Sequence, residues 1–215
     1  MANIKSHTRA VIYLTGMGDG FPASIPGVFQ SLSGLPVIQH VLKSAQAGTN
    51  QSPFLFMDKI RDTLPEDALP IGNIVQLADN SNLAEVVVKS KAKLSDSADH
   101  FLFVPGDMPL LRANTLEKLV ETHLAAEKSH PSHAMITVAN VRAYGSADLT
   151  QVTTTESDRL SSYQTNAEPP ADPGEVPAYD GSIYCISSKW YWEILSQSPD
   201  AVLRDFQLPS LVQLA

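Results

Sequence analysis

The 215 residues suffice for one domain that buries roughly 70% of its unfolded surface, so a single domain over 1–215 is expected. Hydrophobic residues at 43% and charged residues at 18% indicate a globular chain, and the net charge of -8 opposes a broad nucleic-acid footprint, which needs a basic stripe to displace counterions. One cysteine, Cys185, excludes a disulfide scaffold; Met1-Ala2-Asn3-Ile4-Lys5 has no signal-peptide core and no apolar run approaches about 18 residues, so a cytoplasmic protein with no membrane partner is expected.

Ala10-Val11-Ile12-Tyr13-Leu14 is a continuous apolar run that reads as a buried strand. It leads into Thr15-Gly16-Met17-Gly18-Asp19-Gly20, whose small residues and free N–H groups suit close backbone approach to an anion. Phosphate transfer normally also needs a cation or a metal, yet no Lys or Arg occurs between Ala10 and Leu42. Pro36 then precedes Val37-Ile38-Gln39-His40-Val41-Leu42, whose apolar residues at three- and four-residue spacing predict a helix.

Phe54-Leu55-Phe56-Met57 and Ile74-Val75-Gln76-Leu77 are further strand candidates, and Leu83 to Leu94 has a helical period with Asn80, Ser81 or Asn82 available as its cap. Phe101-Leu102-Phe103-Val104 is the clearest buried strand and ends at Pro105-Gly106-Asp107. The amphipathic stretch Thr115 to Leu124 follows, capped by Asn114 or Thr115, and Ala134 to Ala139 supplies another strand. Strands alternating with helices predict an α/β protein with a mostly parallel central sheet covered on both faces.

Beyond that strand the texture changes. Gln151-Val152-Thr153-Thr154-Thr155 is polar and β-branched, and Asn166 to Pro177 holds four prolines and three acids, which predicts an exposed loop. Asp180-Gly181-Ser182 introduces the strand Ile183 to Ile186, where Cys185 is expected as a buried thiol. Lys189 to Leu195 predicts a helix with its aromatics on the sheet.

Asp107 is the first functional candidate. A carboxylate at the C-terminal end of a central parallel strand lies where open α/β sheets bind ligands, and it can hold Mg²⁺. Gly106 leaves room for a ligand beside the backbone and Pro109 fixes the exit, while an Asp capping the following turn is the plainer alternative. Asp180 reads first as a turn residue, with the same crevice as its functional alternative. His40 and His123 have no partner at metal-ligand spacing, and the serines show no nucleophile elbow.

Taken together, these segments resemble the nucleotidyltransferase superfamily. The nearest likeness is to the N-terminal uridylyltransferase domain of the bifunctional N-acetylglucosamine-1-phosphate enzyme, with molybdenum-cofactor nucleotidyltransferases close behind. The family loop Leu-Ala-Ala-Gly-x-Gly-Thr-Arg-Met, then Pro-Lys and Gly-Lys-Pro, matches Thr15 to Phe21, Pro26-Gly27 and Gly34-Leu35-Pro36. The family arginine falls on Gly20 and the lysine on Gly27, so both phosphate-clamping cations are missing, and Asp19 replaces a threonine. The family Gly-Asp-x-Pro-Leu matches Gly106 to Leu110.

The resemblance implies a three-layer α/β/α Rossmann-like fold. It also implies a reaction of a nucleoside triphosphate with a sugar 1-phosphate or related phosphorylated acceptor. Thr15, Gly16, Met17, Gly18, Asp19, Gly20, Gln76, Asn80 and Ser81 would bind nucleotide, Asp107 would hold Mg²⁺, and Tyr144, Gly145, Asp180 and Gly181 would contact the acceptor. The family Glu-Lys pair is degenerate around Tyr163-Gln164, and a second metal ligand, an Asn, lies past the point that matches Ala215, so a C-terminally truncated domain is expected. Losing two charge-assisted phosphate contacts costs several kcal/mol of transition-state stabilisation, on the order of 10³-fold in rate. Three readings stay open: a weakly active nucleotidyltransferase, an inactive homologue working as a regulatory or structural domain, and a metal-dependent glycosyltransferase of similar layout. Arg112, Lys43 or a partner domain are the candidate sources of the missing cations, and a partner domain or a homo-oligomer is the expected association.

Overall fold

The computed structural model describes residues 7–14, 27–57, 73–76, 91, 94, 97–130, 135–143, 149–156, 159–165, 176–197 and 211–212. In chain order its elements are strand β1 (Thr8–Leu14), the hairpin strands β2 (Ser31–Leu32) and β3 (Leu35–Pro36), and helix α1 (Val37–Thr49). Strands β4 (Phe54–Met57), β5 (Asn73–Gln76) and β6 (His100–Pro105) follow, then helix α2 (Ala113–Ser129) and strand β7 (Ile136–Arg142). Strands β8 (Thr150–Thr154), β9 (Leu160–Thr165) and β10 (Ala178–Ser187) lead to helix α3 (Ser188–Gln197). Among the described residues no helix is long and apolar enough to cross a membrane.

The main sheet runs β5-β4-β1-β6-β10-β8-β9, with β7 also paired to β10. Three pairings, β5–β4, β4–β1 and β1–β6, are parallel; four, β6–β10, β10–β7, β10–β8 and β8–β9, are antiparallel. The sheet is therefore mixed and mostly antiparallel, which corrects the mostly parallel sheet expected from the strand–helix alternation. The alternation does set strand direction up to β7, because β7 is antiparallel to β10 and β10 is antiparallel to β6, so β6 and β7 point the same way across α2. β10 then enters between them in the opposite direction.

Helices cover both faces. Ile38, Val41, Leu42 and Ala45 of α1 and Leu116 and Val120 of α2 pack on Ala10, Ile12, Leu55, Leu102, Val104 and Cys185. Tyr191 and Leu195 of α3 pack on Val11, Phe54, Phe56, Phe101, Phe103 and Ile186 on the other face. Cys185 is fully buried, as expected. The N-cap of α2 is Arg112 rather than Asn114 or Thr115, and its side chain makes no cap hydrogen bond.

Beneath α2 lies a polar inclusion. His123, fully buried, shares a 2.9 Å hydrogen bond between its Nδ1 and Thr137 Oγ1 of β7. His100 Nε2, at the head of β6, is 3.0 Å from Glu127 Oε2, and the two imidazoles meet edge to face with centroids 5.2 Å apart. Burial first, and His100 second, push the His123 pKa down from 6.5 to about 4.

A folded-state value below the unfolded one means the unfolded chain binds the extra proton between those limits. The stabilisation is complete above pH 6.5 and is lost as the pH falls to about 4. Urea midpoints taken across this window should report a loss on the order of 3 kcal/mol. His123→Leu should flatten that slope.

Candidate functional site at the strand ends

β6 leaves the core at Pro105, and the Gly106 N–H donates to the Tyr13 carbonyl at 3.0 Å, which fixes the following turn against the end of β1. A Cβ on Gly106 would lie 2.2 Å from Leu14 Cδ2 and 3.0 Å from Ile38 Cδ1. Close packing of β1 and α1 already demands glycine there. Asp107 is exposed on this turn, at the C-terminal end of a central strand as expected. Among the described residues its carboxylate makes no hydrogen bond or ion pair.

The second carboxylate sits across β6. Tyr163 of β9 and Tyr184 of β10 both donate their hydroxyls to Asp180 Oδ2, the latter at 2.5 Å, and the Ser182 N–H donates to Oδ1 at 2.7 Å. The register of β10 against β7 shifts between Asp180 and Tyr184, and Ser182 adopts φ 58°, in the left-handed region. A Cβ on Gly181 would come within 2.9 Å of the Ala139 carbonyl oxygen, so the approach of β7 requires glycine. Asp180-Gly181-Ser182 is thus a bulge inside a ten-residue strand, which corrects its reading as the turn before a shorter one.

Tyr13 ties β1 to the bulge that carries Asp180. Its hydroxyl donates to the Ser182 carbonyl at 3.2 Å, reaching across β6 to the bulge. Burial first, then Asp180, then Asp107, raise its pKa well above the ordinary phenol range. Both acids therefore act on one hydroxyl. Tyr163 and Tyr184 are raised as well, burial leading in each and Asp180 following, so all three phenols stay neutral donors.

The structure thus brings Asp107, Asp180 and Gly181 to one end of the sheet. Gln76 is the last residue of β5, in register with Met57 of β4. Thr15, Gly16, Met17, Gly18, Asp19, Gly20, Asn80, Ser81, Tyr144 and Gly145 lie outside the described residues. Sequence reasoning did not single out Tyr13 or Tyr184, although a tyrosine inside an apolar run must find a partner for its buried hydroxyl, and that signal was available. Among the described residues no three His, Cys, Asp or Glu side chains group as a metal cage.

Comparison with known proteins agrees with this architecture. No protein-family model matches the chain. The bifunctional protein GlmU of Leifsonia xyli subsp. xyli is 28% identical over 172 residues, covering 78% of this chain and 35% of that protein. GlmU of Paramagnetospirillum magneticum is 20% identical over 212 residues, 98% of this chain and 46% of that one. The chain thus spans between about a third and a half of the length of these two curated relatives. The structure of CMP:2-keto-3-deoxy-manno-octonic acid synthetase complexed with CTP superposes with a TM-score of 0.68 at 18% identity, covering 97% of this chain and 84% of that one. The chain has a nucleotidyltransferase-like fold.

Two stability tests follow from the site geometry. Gly106→Ala should lower stability by about 1–3 kcal/mol, read as a shift in denaturant midpoint, because Leu14 and Ile38 must give way. A double-mutant cycle on Tyr163→Phe and Asp180→Ala should return a coupling of about 1.5–3 kcal/mol, as for a hydrogen bond to an ionised acceptor.

Proposed function

We propose that the chain is a nucleotidyltransferase domain. In this reading an acceptor phosphate oxygen attacks the α-phosphorus of a nucleoside triphosphate, the bond to the bridging oxygen breaks, and pyrophosphate leaves with the electron pair. The acceptor is a sugar 1-phosphate or a related phosphorylated small molecule. The observation that carries the reading is that Asp107, just past β6, and Asp180, on β10, stand at the same end of a sheet whose fold is shared with the solved synthetase complexed with CTP. The GlmU similarity supports the same chemistry.

The roles divide along the sheet. β1 runs toward Thr15 to Gly20, the segment assigned to nucleotide phosphates through its N–H groups, and Gln76, Asn80 and Ser81 are assigned to the base. Asp180, Gly181, Tyr144 and Gly145 are assigned to the acceptor. Asp107 follows β6, which lies between β1 and β10. Its uncommitted carboxylate suits Mg²⁺, which takes one or two carboxylates together with phosphate oxygens; Asp180 does not, because three donors already hold it. When bound, the ion supplies charge neutralisation at the phosphates. A cytoplasmic location, where nucleoside triphosphates are made, belongs to the same proposal.

A second reading, the inactive homologue, is favoured by Gly27. It opens a 3-10 turn, Gly27–Phe29, where the family carries its lysine, and a glycine brings no charge there. Calorimetric titration with each of the four common nucleoside triphosphates and Mg²⁺ separates the two. The domain reading expects binding weaker than micromolar, with the magnesium-dependent part lost in Asp107→Asn. Silence at millimolar nucleotide would leave the inactive homologue standing. Micromolar binding indifferent to Asp107→Asn would remove Asp107 from the site.

A further inference from the structure

We infer that the second half of α2 is an acid-released flap over Cys185: His123 takes up a proton by leaving the sheet, which uncovers the buried thiol while the parallel strands stay folded. The helix is held in two ways along its length. Leu116 and Val120 of its first half are buried in the apolar cluster shared with α1, and a Cβ on Gly48 of α1 would lie 2.9 Å from Leu116 Cβ. Beyond Val120 the one buried side chain of α2 is His123, with half-buried Leu124 beside it. The second half is therefore held to the sheet mainly by polar links, His123 to Thr137 of β7 and Glu127 to His100 of β6.

The layer suits a neutral ring and not a charged one. His123 Nε2 and His100 Nδ1 are buried and bond nothing among the described residues. An imidazolium carries two N–H donors, so a second proton on His123 would place one at Nε2 without an acceptor, edge to face with another imidazole. The groups around the ring do not offset that charge. His100 faces it from β6, Thr137 from β7, and Cys185 of β10 lies opposite Thr137 in register. On α2, Glu127 is already paired with His100, half-buried Glu117 lies further back along the helix, and Lys118, Glu121, Lys128 and His130 are exposed. On α1, His40 meets the Leu32 carbonyl and Lys43 is exposed. Water solvates the imidazolium once the helix lifts, so acid favours the lifted state.

Cys185 reports the opening. It is the chain's only cysteine, fully buried in the cluster under α2, and burial first and Glu127 second push its thiol pKa up. His100 opens β6 and Asp107 follows its far end, so the flap lies about 20 Å along the strand from Asp107. The inference therefore stands apart from the nucleotidyltransferase reading and concerns the opposite end of the sheet.

The test labels Cys185 in the full chain with dithiodipyridine and divides each rate by that of the urea-unfolded chain at the same pH. A released His123 titrates at its ordinary 6.5 and the docked one at about 4, so this ratio should rise about twentyfold from pH 7 to pH 5. Urea should raise the labelling rate with a slope clearly below that of global unfolding, because a flap exposes less surface. His123→Leu should leave the ratio flat across the same range. A flat ratio in the native chain, a urea slope equal to that of global unfolding, or a rise that survives His123→Leu overturns the inference. If His123→Leu does not fold, the His123 ring followed by NMR in the native chain decides: proton uptake near pH 4 alongside the labelling rise sustains the inference, and uptake at the ordinary value overturns it.

Discussion

β10 lies between β6 and β7 along its second half, and between β8 and β7 at Ala178 and Tyr179, because it slips register between Asp180 and Tyr184. The slip leaves the Ser182 N–H off the ladder and places Ser182 in a left-handed conformation that costs free energy in a residue with a side chain. The Asp180 carboxylate offsets that cost by accepting this N–H together with two phenol protons. Remove the carboxylate and three buried or half-buried donors lose their acceptor at once. The bulge at the end of β10, next to the join between the parallel and antiparallel halves of the sheet, is held by this one group.

That dependence explains what the sequence shows and what it hides. Ala10 to Leu14, Phe54 to Met57 and Phe101 to Val104 are legible as strands because each is an unbroken apolar run, with Ala10 to Ile12, Phe54 to Phe56 and Phe101 to Val104 buried on both faces. Direction is not written in such a run. Ile183 to Ile186 has the same appearance as the parallel strands, yet it runs the opposite way, since its direction follows from the β8–β9 hairpin before it. That hairpin is polar on its exposed positions apart from Leu160, and Gln151 to Thr155 reads as a change of texture rather than a strand. The helices were easier, because the spacing of their apolar residues survives at α1, α2 and α3; the cap of α2 did not follow, since Arg112 fills the place where Asn114 or Thr115 would offer an oxygen.

Position within the candidate site was legible where it depends on a strand end and obscure where it depends on a long-range contact. Asp107 follows from its position after a buried strand. Tyr13 and Ser182 are 169 residues apart in sequence, and no local pattern announces that one will donate to the other. Asp180 was visible as an acid beside a glycine, a pattern that turns and bulges share, and only the pairing of β7 with β10 distinguishes the two.

The two acids stand in different relations to the fold, and that difference bears on whether the crevice is in use. Asp180 has a structural duty that accounts for it without any ligand. Asp107 has none among the described residues: it is exposed, it caps no helix, and the tight packing at the turn belongs to Gly106 beside Leu14 and Ile38. An exposed carboxylate placed near Asp180 raises the negative potential at the strand ends and adds nothing to packing. Folding alone therefore explains the bulge and leaves Asp107 unexplained, while a cation brought with phosphate oxygens would explain it directly. Under the proposed function, glycine at positions 20 and 27 lowers the affinity expected for phosphate and would make binding more dependent on a cation at Asp107.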